Sequence, residues 1–305
     1  MSVRVAKNSG FCQGVKKAVD VAMNIDAPAY VYGELIHNEV VLKKLKERGV
    51  DTLFDLNELK GKKVIIRSHG VGKAVYDFLE KNSIEYVDCT CIFVKKIHDI
   101  VRENYLNGKQ IIIIGNPNHP EVVGINGWCG DSAIIYNGEE DYAFDNSKEY
   151  CLVVQTTYDY QLAEKYIKNL QNAIKMLDRN NTICYTTLGR QKECEELSLD
   201  SDIMLVVGSK NSSNTRKLYD ICHKNCQQTY LIETLSDAKS VNVEKNIKIG
   251  IVAGASTPPE LIEEVKNLMK ESQENKIIET ETAKEDKFGE LLNSKKDKSM
   301  NVKAG

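Results

Sequence analysis

Three cysteines open three copies of one local pattern, and that repetition limits the chain to a small set of architectures. Cys12, Cys91 and Cys184 each precede an amphipathic helical stretch, and a glycine ending an apolar strand follows 21, 24 and 24 residues later. The glycines are Gly33 in VYGELIHN, Gly115 in IIIIGNPNHPE and Gly208 in MLVVGSKNSSN; four residues past each stands His37, His119 or Ser212. A second strand in each third ends in a small polar cluster: Ser68 and His69 in IIRSHG, Thr156 and Thr157 in LVVQTT, Ser256 and Thr257 in IVAGAST. Short β-rich runs alternate with helical periodicity almost throughout. Such alternation predicts parallel sheets with crossover helices and ligands gathered at the carboxyl ends of the strands. The expected fold is therefore α/β, with three small pseudo-threefold-related domains around a central cavity. The repeat divides the chain at 1–90, 91–183 and 184–273. From residue 274 the pattern fades and 14 of the last 32 residues are charged, which reads as a charged tail or linker, 274–305.

Composition narrows the function classes. The formal charge of −3 is spread over 41 basic and 44 acidic residues without a basic block, so nucleic-acid binding has no electrostatic footprint. No apolar run approaches the ~18 residues that a membrane helix needs, and the N-terminus MSVRVAKNSG lacks a signal-peptide core; the expected location is the cytoplasm. Nine cysteines in that compartment read as metal ligands or buried core, not disulfides.

The repeat separates the two cysteine classes. Cys12 lies in the glycine-framed loop SGFCQG, and Cys91 and Cys184 take the same strand-to-helix position in VDCTC and TICYTT. A helix N-terminus favours the thiolate, the ligand species. Cys89 competes with Cys91 for the middle slot, whereas Cys129, Cys151, Cys194, Cys222 and Cys226 have no counterparts in the other thirds and read as structural. Three thiolates without a fourth ligand in register suggest an iron-sulfur cluster with one iron open to substrate; an open three-cysteine zinc site is the rival. His37, His69 and His119 stand in glycine-bordered loops and share their register with Ser212, Ser213 and Asn214. Imidazoles, hydroxyls, an amide and helix N-termini make a cradle for a diphosphate. Few lysines or arginines sit in these loops, so charge neutralisation is expected from histidine protonation and helix dipoles. Glu121, two residues after His119, reads either as a complement to a helix dipole or as a buried proton donor with a raised pKa. Thr156 reads either as an N-cap or as the residue that orients Glu121 or the substrate hydroxyl.

The set SGFCQGV, GELIHN, RSHGV, DCTC, GNPNHPEVVG, QTT, TICYTTLGRQ, VVGSKNSSNT and AGASTP resembles the 4-hydroxy-3-methylbut-2-enyl diphosphate reductase family, from about Val3 to Glu264. The resemblance implies a trefoil-like arrangement around a [4Fe-4S] cluster held by Cys12, Cys91 and Cys184, with one iron site open. It places diphosphate binding on His37, His69, His119, Ser212, Ser213, Asn214 and Ser256, the catalytic acid on Glu121 and its partner on Thr156. It implies reductive dehydroxylation of the allylic alcohol to isopentenyl and dimethylallyl diphosphate, the last step of the methylerythritol phosphate route, with ferredoxin or flavodoxin as electron donor. Where the family usually reads D-A-T-C-P, this chain has Cys89 for the alanine and Ile92 for the proline. Some family members carry a fused oligonucleotide-binding domain downstream, and the tail reads as the remnant of such a linker. A non-catalytic cluster sensor and a zinc-dependent hydrolase are the rival functions; no DNA-reading motif supports the first and no H-x-x-x-H signature the second.

Overall fold

The computed structural model describes residues 2–138, 142–244 and 247–274. The charged tail beyond 274 lies outside the described residues. The strands are β1 Ser2–Val5, β2 Ala29–Tyr32, β3 Val50–Leu53, β4 Val64–Ile66, β5 Tyr86–Asp88, β6 Gln110–Ile114, β7 Ile134–Tyr136, β8 Tyr150–Val154, β9 Leu177–Arg179, β10 Ile203–Val207, β11 Thr229–Ile232 and β12 Lys248–Ala253. The helices are α1 Gln13–Asn24, α2 Glu39–Glu47, α3 Lys73–Lys81, α4 Ile92–Leu106, α5 Pro120–Asn126, α6 Tyr160–Ala173, α7 Tyr185–Leu199, α8 Ser213–Asn225 and α9 Leu235–Lys239, followed by a helix over 259–274.

The strands form three four-stranded sheets, ordered β3-β2-β4-β5, β7-β6-β8-β9 and β11-β10-β12-β1, and every pairing is parallel. The central strands are aliphatic and buried along their length, as in Ile111–Ile114 and Ile203–Val207, because helices cover both faces of a parallel sheet. Two apolar clusters accompany each sheet. Beside the first, Val31 and Ile65 pack with Ala18, Val19 and Leu45 on one face, and Val64 and Ile66 with Val75 and Leu79 on the other.

One strand departs from the expected division. β1 pairs with β12 in the third sheet, in the register Val3 to Ile249 and Val5 to Ile251, so the first strand of the 1–90 segment belongs with the last unit. The physical reason lies in the phase of the repeat. β5 closes the first sheet ahead of Cys91, β9 closes the second ahead of Cys184, and β1 closes the third ahead of Cys12. Each cysteine thus follows an edge strand and caps the helix that crosses into the next unit, which ties the three units into a ring.

In all three sheets the chain leaves the first central strand to one side and returns to the other, so the switch of direction falls between β2 and β4, β6 and β8, and β10 and β12. Loops diverge there and leave a crevice at the strand carboxyl ends. His37, His119 and Ser212 follow the first strand of each pair; Ser68 with His69, Thr156 with Thr157, and Ser256 follow the second. Among the described residues, no helix is long and apolar enough to cross a membrane.

Candidate functional site

The twelve residues singled out from the sequence line one cavity: Cys12, Cys91, Cys184, His37, His69, His119, Glu121, Thr156, Ser212, Ser213, Asn214 and Ser256. Its floor is made by three helix starts. Cys12, Cys91 and Cys184 are the N-caps of α1, α4 and α7, and the Cys12 Sγ accepts the Val15 N–H at 3.5 Å. These thiols are half-buried, while the other six free cysteines are buried. Cys89 sits in the first core at 1% exposure, its thiol pushed up to about 11 by burial, and does not line the cavity. The Cys91 thiol is likewise raised by burial, against which the Phe93 and Val94 N–H groups act, and it feels the thiols of Cys12 and Cys184.

These residues fit a cluster held by three thiolates. A Cβ at Gly14 would stand 2.8 Å from Cys91 Sγ, so the glycine keeps the space beside the sulfur clear. Arg190 donates to the Gly10 and Ala253 carbonyls at 2.6 and 3.0 Å, and its buried Nε has no hydrogen-bond partner among the described residues. Burial lowers the pKa of the guanidinium, while the neighbouring Cys12, Glu193 and Cys184 act the other way. Sequence reasoning passed over Arg190 although it lies within TICYTTLGRQ, because no counterpart occurs in the other thirds.

The polar wall is a triangle of imidazoles, with ring centres 5.1 Å (His37–His69), 5.6 Å (His69–His119) and 6.2 Å (His37–His119) apart. Ser256 closes it, its hydroxyl donating to the His37 carbonyl at 3.3 Å. Their surroundings lower the pKa of two of the three rings. Burial first, then the charges of neighbouring histidines and Arg67, hold His69 well below its ordinary 6.5; burial, His37, Arg67 and Arg216 hold His119 at about 3. The sequence reading missed Arg67, although it stands in RSHG, and Arg216, one turn into α8.

Neutral imidazole still donates. The Glu121 N–H donates to His119 Nδ1 at 3.2 Å, which leaves the proton of the neutral ring on Nε2. Asn214 Nδ2 and His69 Nδ1 are buried with no hydrogen-bond partner among the described residues. Unpaired buried polar groups are costly, and an acceptor-rich ligand such as a diphosphate satisfies donors. One ring nitrogen of each histidine lies within 4.8 Å of the others, a spacing that could also hold a metal ion. The occupied Nδ1 of His119 favours the anion reading.

Glu121 is 2% exposed on α5, and Thr156 grips both its oxygens: the N–H donates to Oε1 at 2.6 Å and the hydroxyl to Oε2 at 2.7 Å. Burial raises the carboxyl to about 7 despite those two bonds, which pull the other way. A group so poised is available as a proton donor near neutrality. Thr156 is not a helix cap, since Asp159 caps α6 by accepting the Leu162 N–H at 2.7 Å.

Comparison with known proteins shows the family to which the chain is similar. The LytB protein family matches residues 3–270. A curated relative from Caldanaerobacter subterraneus subsp. tengcongensis, named 4-hydroxy-3-methylbut-2-enyl diphosphate reductase, is 44% identical over 87% of this chain and 95% of its own length. A solved structure of (E)-4-hydroxy-3-methyl-but-2-enyl diphosphate reductase, described as the terminal enzyme of the non-mevalonate pathway, aligns with TM-score 0.66 at 34% identity, covering 89% of this chain and all of its own. The Plasmodium falciparum E-1-hydroxy-2-methyl-but-2-enyl-4-diphosphate reductase aligns with TM-score 0.77 at 28% identity, covering 87% of each chain.

Proposed function

This chain belongs to the LytB protein family, and we propose that it removes the hydroxyl of 4-hydroxy-3-methylbut-2-enyl diphosphate reductively to give isopentenyl and dimethylallyl diphosphate. The observation that carries this reading is the meeting of a three-thiol floor, a donor-rich wall and a buried carboxyl of raised pKa in one cavity. We assign Cys12, Cys91 and Cys184 as ligands of a [4Fe-4S] cluster. Bound there, the cluster supplies electrons one at a time and a Lewis-acidic iron that no cysteine occupies.

The chain's own residues do the rest. The diphosphate takes donors from His37, His69, His119, Ser212, Ser213, Asn214 and Ser256. Its negative charge favours the protonated form of His69, an imidazole whose pKa burial lowers, while His119, whose Nδ1 accepts the Glu121 N–H, donates from Nε2 as a neutral ring. Clamping this remote group fixes the reacting carbon, so that binding energy is used for orientation. Glu121 holds the proton that turns departing hydroxide into water, and Thr156 holds Glu121 by both oxygens. In balance, two electrons and two protons replace the C–O bond by C–H and release water. We propose an electron donor such as ferredoxin or flavodoxin, and a cytoplasmic location.

Anaerobic turnover with dithionite and a viologen tests the proposal. Consumption of the allylic alcohol with appearance of both products is expected. Binding of the alcohol without turnover would favour a sensor, and zinc in place of iron and sulfide would favour a hydrolase.

A further inference from the structure

A second void adjoins the cavity, and two side chains face both. Thr157 and Ser213 line the cavity and also an open groove between the loop and helix after β8 and the start of α8. The groove therefore abuts the donor-rich wall across these two residues: Ser213 opens the helix whose first turn carries Asn214, and Thr157 follows the threonine that holds Glu121.

Three cations line this groove, and they are not equivalent. Lys217 is paired with Asp159, and Lys210 with Glu233 at 3.6 Å. Arg216 is exposed and takes part in no ion pair among the described residues; Asp220, one turn further along α8, forms none with it. Its charge nevertheless reaches inward, because it is among the charges that hold His119 in its neutral form. A guanidinium thus stands in the groove and projects its field onto the wall of the cavity.

We infer that the groove between α8 and the β8–α6 segment is the entrance for the anionic substrate, and that Arg216 steers its diphosphate toward the histidine wall. The inference rests on the diphosphate reading of the cavity. Arg216 is a positioning residue: it accelerates capture and takes no part in the chemistry. A single charge at the mouth of a cleft raises association rates in a way that salt screens. An exposed guanidinium unencumbered by a carboxylate serves that purpose better than the paired lysines beside it.

The test is stopped-flow association of inorganic diphosphate with the cluster-loaded protein, at low and at physiological ionic strength, for wild type, Arg216→Gln and Arg216→Lys. Steady-state turnover is measured in parallel. Arg216→Gln is expected to slow association by about 3- to 10-fold at low salt, to flatten its salt dependence and to raise KM while leaving kcat in place. Arg216→Lys, which keeps the charge, is expected to retain most of the wild-type rate. An unchanged association rate in Arg216→Gln would overturn the inference, as would an Arg216→Lys variant as slow as Arg216→Gln. Failure of the wild type to bind diphosphate would remove the diphosphate reading itself, and the inference with it.

Discussion

Glu121→Gln tests the buried carboxyl through stability as well as through rate. Burial lifts this group from its ordinary 4.5 to about 7 in the folded chain. Below pH 4.5 folded and unfolded chains both hold the proton, and the contribution of the neutral carboxyl is fully present. Between 4.5 and about 7 the unfolded chain releases the proton and the folded chain keeps it, so folding becomes progressively less favourable. Above about 7 the loss is complete. A displacement of that size corresponds to roughly 3 kcal/mol. The amide of the Glu121→Gln variant does not titrate, so the stability of wild type relative to that variant should fall by about the same amount between roughly pH 4.5 and 8 and then level off. Urea denaturation of both cluster-free proteins across that range measures the difference, and titrations common to both cancel. A difference that stays flat with pH, or one that grows in favour of wild type as pH rises, would refute the reasoning. The same proton governs turnover. Wild-type activity should fall as pH rises through about 7, and Glu121→Gln should keep ligand binding but lose about 10²- to 10⁴-fold in kcat.

Thr156→Val removes the hydroxyl bond that favours the charged carboxylate, so the alkaline limb of the wild-type pH profile should move to higher pH in kcat/KM measurements. Cys91→Ser puts a hydroxyl, a favoured N-cap group, at the start of α4 and loses a soft ligand; iron and sulfide analysis should show most of the metal gone while circular dichroism is unchanged. Gly14→Ala pushes a methyl to 2.8 Å from Cys91 Sγ, and thermal unfolding should register a loss of about 1–3 kcal/mol together with reduced iron content. Asn214→Ala removes a buried donor unpaired among the described residues, and calorimetry should show diphosphate binding weakened by about 1–3 kcal/mol.

Much of this architecture is legible in the sequence because it repeats. The spacing from each cysteine to its glycine and on to His37, His119 or Ser212 reflects one strand–helix–strand unit used three times, and the structure gathers the cysteines, His37, His119 and Ser212 in one cavity. The place of β1 was also readable in principle: by the phase of the repeat, the strand ahead of a cysteine closes the preceding sheet, and for Cys12 the preceding sheet is the last. What did not repeat stayed hidden. Arg67, Arg190 and Arg216 influence the site from positions without counterparts in the other units, and long side chains reach it by routes that linear spacing does not encode. The alternative roles of Thr156 were inseparable from local sequence, since a threonine ahead of a helix reads as a cap. Only the packing of β8 beside β6 places it against Glu121 and leaves the capping to Asp159.

The proposed cysteine tripod is tested most directly by iron and sulfide analysis with paramagnetic resonance of anaerobically purified protein, before and after addition of the allylic diphosphate. The account predicts iron and inorganic sulfide in equal amounts and a spectrum that changes when substrate is added. Colourless protein that stays free of sulfide after reconstitution would contradict it.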